Sequence, residues 1–129
     1  MSRRDDTTLL RDMIEASGAA MDAIEGKDRS ALAADHVYAL GLVKCLEIVG
    51  EAARQLSADL TGQHPEVPWP QIVGMRHRLV HAYFEIDYEQ VWKALTDDLP
   101  PLIAELERIL DATSGSGGGG GADSGGGGG

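Results

Sequence analysis

The chain has very little cysteine and no long apolar run. It has one cysteine, Cys45, among 129 residues, so it can form no internal disulfide and no cysteine-based metal cluster. No apolar run approaches the roughly 18 residues that a membrane span needs. The opening MSRRDDTTLLRDM becomes charged where a signal peptide would turn apolar. We therefore expect a cytoplasmic protein, in which Cys45 is a small core residue of the apolar run LVKCLEIV.

Basic residues are also scarce. Lys and Arg number 11 against 21 Asp and Glu, which gives a formal net charge of −10 and a pI of about 4.6. This balance argues against a protein whose whole surface binds nucleic acid. A local basic cleft remains compatible with it, because salt screens charges that are more than about 8–10 Å apart.

The pattern that the chain does contain is helical. Apolar residues recur every three or four positions in four segments, and no strand-like alternation occurs. The predicted helices cover residues 5–26, 30–57, 70 to 82 or 83, and a last segment from 87 onwards. The intervening residues 58–70 contain three of the five prolines, and we expect no helix to continue through them.

Capping residues and prolines support these boundaries. Ser30 and Asp87 are predicted N-caps, and Pro70 suits the first position of the third helix. Pro100 and Pro101 lie inside the last helix and predict a kink just before them, near residues 98–99. The predicted fold is all-α, an up-and-down four-helix bundle spanning residues 1–112. Residues 113–129 are rich in Gly and Ser and are predicted to form a disordered tail without a catalytic part.

One stretch concentrates chemically useful side chains on the third helix. Arg76, His77, Arg78, His81 and Tyr83 fall within eight positions of an otherwise apolar segment. On this predicted helix Arg76 lies at the edge of the core face, and His81 lies opposite the centre of that face, about 140° from Arg76. Tyr83 would return to the core edge.

These residue types allow three interpretations. They can be an ordinary solvated face, or His77 and His81 can hold a metal ion with Glu85 as a third ligand. The favoured interpretation is RNA cleavage without a metal or cofactor. Such cleavage needs a base near neutral pH, which an imidazole supplies, and a fixed cation for the phosphorane-like transition state, which an arginine fork supplies. Because Arg76 and His81 diverge on one helix, we expect a homodimer that brings two copies of each to one cleft.

The motif Arg76-HRLV-His81-Ala82-Tyr83 resembles that of the HEPN superfamily, specifically the HepT-type toxins of bacterial toxin–antitoxin pairs. The stretches LEIVGEAARQLS and PWPQIVGMRHRLVHAYFEID, and the Trp92…LP pattern after them, are also similar to that family. The resemblance covers residues 5–112.

The resemblance implies a homodimeric, metal-independent endoribonuclease of a type II or VII toxin–antitoxin pair, with Arg76 and His81 as the catalytic pair. It implies that His77 and Arg78 support substrate binding. It also implies that a cognate nucleotidyltransferase antitoxin of the MntA type transfers AMP to Tyr83. Glu51 matches a family glutamate, and we expect it to orient Arg76 through a hydrogen bond. The alternative function is a non-catalytic helical dimer that docks a nucleotidyltransferase subunit.

Overall fold

The computed structural model describes the backbone of residues 4–116, together with the side chains of these residues except 84 and 114–116. This part of the chain is helical and contains no strand; Val80 and Ile86 form an isolated antiparallel bridge. The helices are α1 (Asp6–Ile24), α2 (Ser30–Ala34), α3 (His36–Gln55), α4 (Ala58–Gln63), α5 (Trp69–Val73), α6 (Met75–Leu79), α7 (Tyr88–Lys93) and α8 (Leu99–Ser116). A 3-10 turn (Ala82–Phe84) precedes α7, and a π-helical turn (Ala94–Asp98) joins α7 to α8. The prediction of an all-α fold is confirmed.

The first predicted helix is confirmed almost to its ends. The side chain of Asp5 accepts a hydrogen bond from the backbone N–H of Thr8 at 2.8 Å and so caps α1. Gly26 follows the helix with φ of 75°, a conformation that costs glycine little.

The second predicted helix is interrupted. Asp35 has extended dihedral angles, and its side chain accepts from the N–H of Tyr38 at 3.1 Å, which starts α3 afresh at His36. Ser30, the expected N-cap, is instead the first residue of the short helix α2. An aspartate that bonds the backbone competes with helix continuation, and this competition explains the break.

The proline-rich segment is more helical than expected. Ser57 accepts from the N–H of Leu60 and caps α4, so the prediction of no helix across residues 58–70 is wrong for its first half. Pro70 is the second residue of α5, one position later in the helix than predicted. The expected continuous helix to residue 82 or 83 is wrong, because Gly74 separates α5 from α6 and Val80 is extended.

The end of the domain follows the predicted caps more closely. Asp87 accepts from the N–H of Gln90 at 3.1 Å and caps α7 as expected. The hydrogen-bond ladder changes to π-helical geometry over Ala94–Asp98, directly before Pro100 and Pro101, where a disturbance was predicted. Helix α8 then continues to Ser116, four residues beyond the predicted domain end at 112. The rest of the predicted tail, residues 117–129, lies outside the described residues.

The core is built by α1, which packs against both α3 and α8, and by α5 and α6, which pack against α3. Its fully buried large side chains are Leu9, Leu10, Met13, Leu32, Leu42, Leu46, Val49, Leu79, Leu95, Leu99, Leu106 and Ile109. Cys45 is half-buried against this core. None of the described helices is long and apolar enough to cross a membrane. The up-and-down order and the homodimer stay predictions.

Candidate functional site

Helix α5 lies close against α3, and Gly50 makes that approach possible. A Cβ atom at Gly50 would lie 3.0 Å from the backbone oxygen of Ile72 in α5, closer than side-chain carbons normally come to an oxygen. The missing side chain therefore lets α5 and the following α6 sit against the outer edge of α3. This contact determines where Arg76 and His77 lie along α3.

Arg76 is anchored by a residue that the sequence analysis did not select. Its Nε donates a hydrogen bond to Oε2 of Glu47 at 2.6 Å. The expected bond from Arg76 to Glu51 is not formed; that prediction is wrong. Glu51 instead accepts hydrogen bonds from Arg54 at 2.5 Å and from Gln55 at 3.1 Å. These two bonds hold the pKa of the exposed Glu51 carboxyl below its usual value.

Arg76 and His77 line a cleft of about 500 Å³ that runs along α3 between the α5–α6 segment and the start of α1. Glu47, Glu51 and Lys44 line it from α3. The cleft thus carries the guanidinium groups of Arg4, Arg54 and Arg76, the imidazole of His77 and the ammonium group of Lys44, in a chain that is otherwise acidic. This is the local basic cleft that the overall charge left possible, although carboxylates share its walls.

Arg78 points to another part of the molecule. Its guanidinium lies 3.8 Å from a carboxylate oxygen of Asp98, and it lines a second cleft between α5–α6 and the start of α8. Helix α6 therefore separates two clefts. The structure does not bring Arg78 to the side of the helix that carries Arg76.

His81 follows α6 instead of lying on it. The helix ends at Leu79, and the N–H of His81 donates to the backbone oxygen of Glu85 at 2.8 Å. The helical-wheel position predicted for His81 is therefore wrong, although its side chain is exposed as expected. Its Nε2 lies 3.5 Å from Oδ2 of Asp87, whose other oxygen caps α7.

Tyr83 is the most exposed large hydrophobic side chain among the described residues, at 98%. The prediction that it returns to the core edge is wrong. Its φ of 59° is left-handed, a conformation that bulky residues rarely adopt and that costs about 1–3 kcal/mol. The Val80–Ile86 bridge and a bond from the N–H of Asp87 to the oxygen of Leu79 close the loop on both sides of it. The loop thus presents the phenol to solvent.

The structure does not favour a metal site formed by His77 and His81. His77 and His81 are not on successive turns of one helix, because α6 ends between them. Across residues 4–116, apart from the side chains set aside above, no three His, Cys, Asp or Glu residues are grouped closely enough to hold a metal ion.

Both candidate catalytic residues thus face a carboxylate from outside the motif, Glu47 for Arg76 and Asp87 for His81. Sequence reasoning missed Glu47 and assigned Asp87 only as a helix cap. Glu47 lies one helical turn before Glu51 and on nearly the same face of α3. The helical spacing was therefore a signal for either residue, and only the packing of α6 against α3 distinguishes them.

Comparison with known proteins adds a decisive observation. The family model described as "Ribonuclease HepT-like" matches residues 13–109. The chain belongs to this HepT-like family. The resemblance to HepT-type proteins is thereby confirmed.

Relatives support the same assignment. A Methanocaldococcus jannaschii protein named "Putative RNase MJ1380" is 34% identical over 107 residues, which cover 83% of this chain and 98% of that relative. A Thermococcus cleftensis protein named "Probable ribonuclease HepT" is 32% identical over 103 residues, which cover 77% of this chain and 94% of that relative. No solved structure matches the chain.

Proposed function

We propose that this HepT-like protein is a metal-independent endoribonuclease and the toxin of a toxin–antitoxin pair. The observation that carries the proposal is the exposed Arg76–His81 pair, in which each side chain is held beside a carboxylate. The names of the two relatives, both of which include RNase or ribonuclease, point the same way.

The two side chains supply the functions that RNA cleavage needs. His81, as the neutral imidazole, takes the proton of a ribose 2′-hydroxyl, and the resulting oxygen attacks the adjacent phosphorus. The bond from phosphorus to the 5′-oxygen breaks, that oxygen is protonated by an imidazolium, and a 2′,3′-cyclic phosphate remains. Arg76 stabilises the additional negative charge on the phosphoryl oxygens in the transition state. His77 lines the cleft of Arg76 and is placed to bind a neighbouring phosphate.

A homodimer completes this site. Arg76 lines the cleft beside α3, whereas His81 and Tyr83 are not among the residues that line it. Two copies related by symmetry bring two arginines and two imidazoles to one substrate, so that one imidazole acts as base and the other as acid.

Tyr83 is proposed as the point of control. A nucleotidyltransferase antitoxin would transfer AMP from ATP to the phenol oxygen and release pyrophosphate. The exposure of Tyr83 makes that oxygen accessible. The added phosphate would lie two residues from His81 and would repel RNA.

The alternative is a non-catalytic dimer that docks the nucleotidyltransferase. It is favoured by one observation, the exposure of Tyr83 on a closed loop, which a docking partner could use without any catalytic role for Arg76. The docking function, however, does not explain why Arg76 and His81 each face a carboxylate.

The deciding experiment is cleavage of total cellular RNA in EDTA by the wild type, Arg76→Ala and His81→Ala. We expect cleavage by the wild type and a loss of at least about a hundredfold in each variant. Circular dichroism should show unchanged helix content, because both side chains are exposed. A folded, unmodified wild type that leaves RNA intact would favour the docking function.

A second experiment addresses control. Incubation with the cognate nucleotidyltransferase and labelled ATP should label the wild type and leave Tyr83→Phe unlabelled. Tyr38 and Tyr88 serve as internal controls, since both are partly buried and remain in that variant. Persistent labelling of Tyr83→Phe would mean that another residue accepts AMP.

A further inference from the structure

The three tyrosines of the chain differ in what they contribute to the fold. Tyr38 is half-buried, and its hydroxyl donates a hydrogen bond to the backbone oxygen of Ala23 at 2.6 Å. Tyr88 is half-buried against the core. Tyr83 is 98% exposed, and no group among the described residues forms a hydrogen bond with its hydroxyl. The fold therefore leaves a large aromatic ring available for contact with a ligand.

The loop fixes Tyr83 in this position at a local cost. Its φ of 59° is the left-handed conformation that bulky residues rarely adopt. Backbone hydrogen bonds enclose it, from His81 to Glu85 and from Asp87 to Leu79, each at 2.8 Å. Strained residues that the surrounding structure holds in place cluster at functional sites. A ring that is already fixed also loses less conformational entropy when a ligand stacks on it.

The AMP transfer proposed for Tyr83 does not account for the exposure of the ring. That reaction needs only the phenol oxygen to be accessible. A tyrosine can present this oxygen to water while its apolar ring stays on the protein surface. Here nearly the whole side chain stands away from the protein. The ring thus has an exposure that modification alone does not require.

Tyr83 lies beside the proposed base of the cleavage reaction. It follows His81 by two positions, and two residues of extended chain span at most about 7 Å. The ring is therefore within reach of the base on the ribose that His81 deprotonates, or of the base next to it. Proteins that recognise single-stranded RNA commonly stack its unpaired bases on aromatic side chains.

We propose that the ring of Tyr83 stacks on an unpaired nucleobase next to the scissile phosphate and so directs cleavage to single-stranded RNA. This inference rests on the proposed function and deepens it by naming the class of RNA. A base inside a duplex keeps both of its faces stacked on its neighbours and cannot offer one to the ring. Because every base has a π face, the contact adds affinity without selecting a particular base.

The charge of the chain makes such a contact valuable. The formal net charge is −10, and RNA carries a negative charge at each phosphate, so the protein as a whole does not attract RNA. Arg76 and His77 supply phosphate contacts only locally. Stacking adds affinity that depends on neither net charge nor salt, since it places no ion against another.

Binding measurements separate the ring from the hydroxyl. A single-stranded RNA oligonucleotide that the wild type cleaves at one mapped bond is made uncleavable by a 2′-deoxyribose at that bond. Tyr83→Ala should bind this probe about tenfold more weakly, the usual effect of losing one stacked base. Tyr83→Phe keeps the ring and should bind within about threefold of the wild type. Fluorescence anisotropy at several salt concentrations should give Tyr83→Ala the same slope of log Kd against log salt as the wild type, because no phosphate contact is removed.

Abasic oligonucleotides supply the RNA half of the test. The base on either side of the cleavage site is removed in turn, and one of the two removals should weaken wild-type binding by about tenfold. The same removal should have no further effect on Tyr83→Ala, since the ring and the base form one contact. Glu107→Ala on α8 is the control; it changes another exposed side chain and should respond to the removal as the wild type does.

A second variant guards against loss of folding. Glycine adopts a φ of 59° freely, so Tyr83→Gly should melt at a higher temperature than Tyr83→Ala. It should nevertheless bind the probe as weakly as Tyr83→Ala does. Weak binding by this more stable variant would show that the missing ring, and not misfolding, is the cause.

Three results would overturn the proposal. The first is unchanged binding by Tyr83→Ala; if that variant also lost binding of the nucleotidyltransferase, the ring would belong to a protein-docking surface. The second is an equal loss in Tyr83→Phe, which would assign the contact to the hydroxyl. The third is cleavage of the fully paired oligonucleotide as fast as the single strand. Each of these, with RNA cleavage by the wild type intact, leaves the proposed function standing. A folded, unmodified wild type that neither binds nor cleaves RNA would reject both.

Discussion

Arg76 and Glu47 are 29 positions apart in the chain, and their side chains form a 2.6 Å hydrogen bond between α6 and α3. The bond uses Nε of the guanidinium. It therefore leaves the two terminal nitrogens as donors for a phosphate.

Glu47→Gln should lower RNA cleavage by about tenfold while the protein stays folded, because the amide holds the guanidinium less firmly than a carboxylate does. The same change in an Arg76→Ala background should have no further effect, since the residue acts through Arg76. Steady-state rates of all three variants on one RNA oligonucleotide measure this coupling. Glu107→Gln on α8 is the matched control, and additive losses would show that Glu47 has a separate role.

The Asp87 carboxylate caps α7 and also faces His81, and two substitutions separate these two roles. Asp87→Asn keeps an oxygen that can accept from the N–H of Gln90 but removes the charge that faces His81. It should preserve stability and reduce cleavage. Asp87→Ala should reduce cleavage similarly and also destabilise the protein by about 1 kcal/mol through loss of the cap. Urea unfolding and cleavage rates check both, and equal stability of the two variants would contradict the capping role.

The sequence was sufficient to predict the helical class, the cap at Asp87 and the exposed arginine and histidine, because these depend on local spacing and on single side chains. It failed where two local preferences compete. Asp35 could continue a helix or cap a new one, and the cap prevailed. Val80 could extend α6, but the bridge to Ile86 ends the helix before His81.

The partner of Arg76 was beyond local reasoning for a different reason. Glu47 and Glu51 are both on the outer half of α3, and the sequence offers no preference between them. The choice depends on how far along α3 the α5–α6 segment packs, which the contact at Gly50 sets. Such a tertiary register is invisible in a single sequence without homologues.

The thiol of Cys45 should react slowly. Partial burial raises its pKa, so that less of it is thiolate at a given pH, and thiolate is the reactive form. At pH 8 we expect iodoacetamide to alkylate Cys45 about tenfold more slowly than a cysteine in an unstructured peptide. Denaturation in urea should remove the difference. Mass spectrometry at timed intervals measures both rates, and equal rates in the folded protein would mean that the thiol is accessible and unperturbed.

Gly50 tests whether the packing of α5 against α3 positions the site. Gly50→Ala places a Cβ 3.0 Å from the backbone oxygen of Ile72, so α5 must move away and carry α6 with it. We expect destabilisation by about 1–3 kcal/mol, as for other overpacked positions, and a loss of RNA cleavage larger than the stability loss explains. Gly18→Ala on α1 is the control, because a Cβ there meets nothing within 4 Å. It should instead stabilise the protein by up to about 1 kcal/mol through helix propensity. If Gly50→Ala stabilised the protein equally, the close approach of the two helices would be refuted, and with it the explanation of why Arg76 meets Glu47.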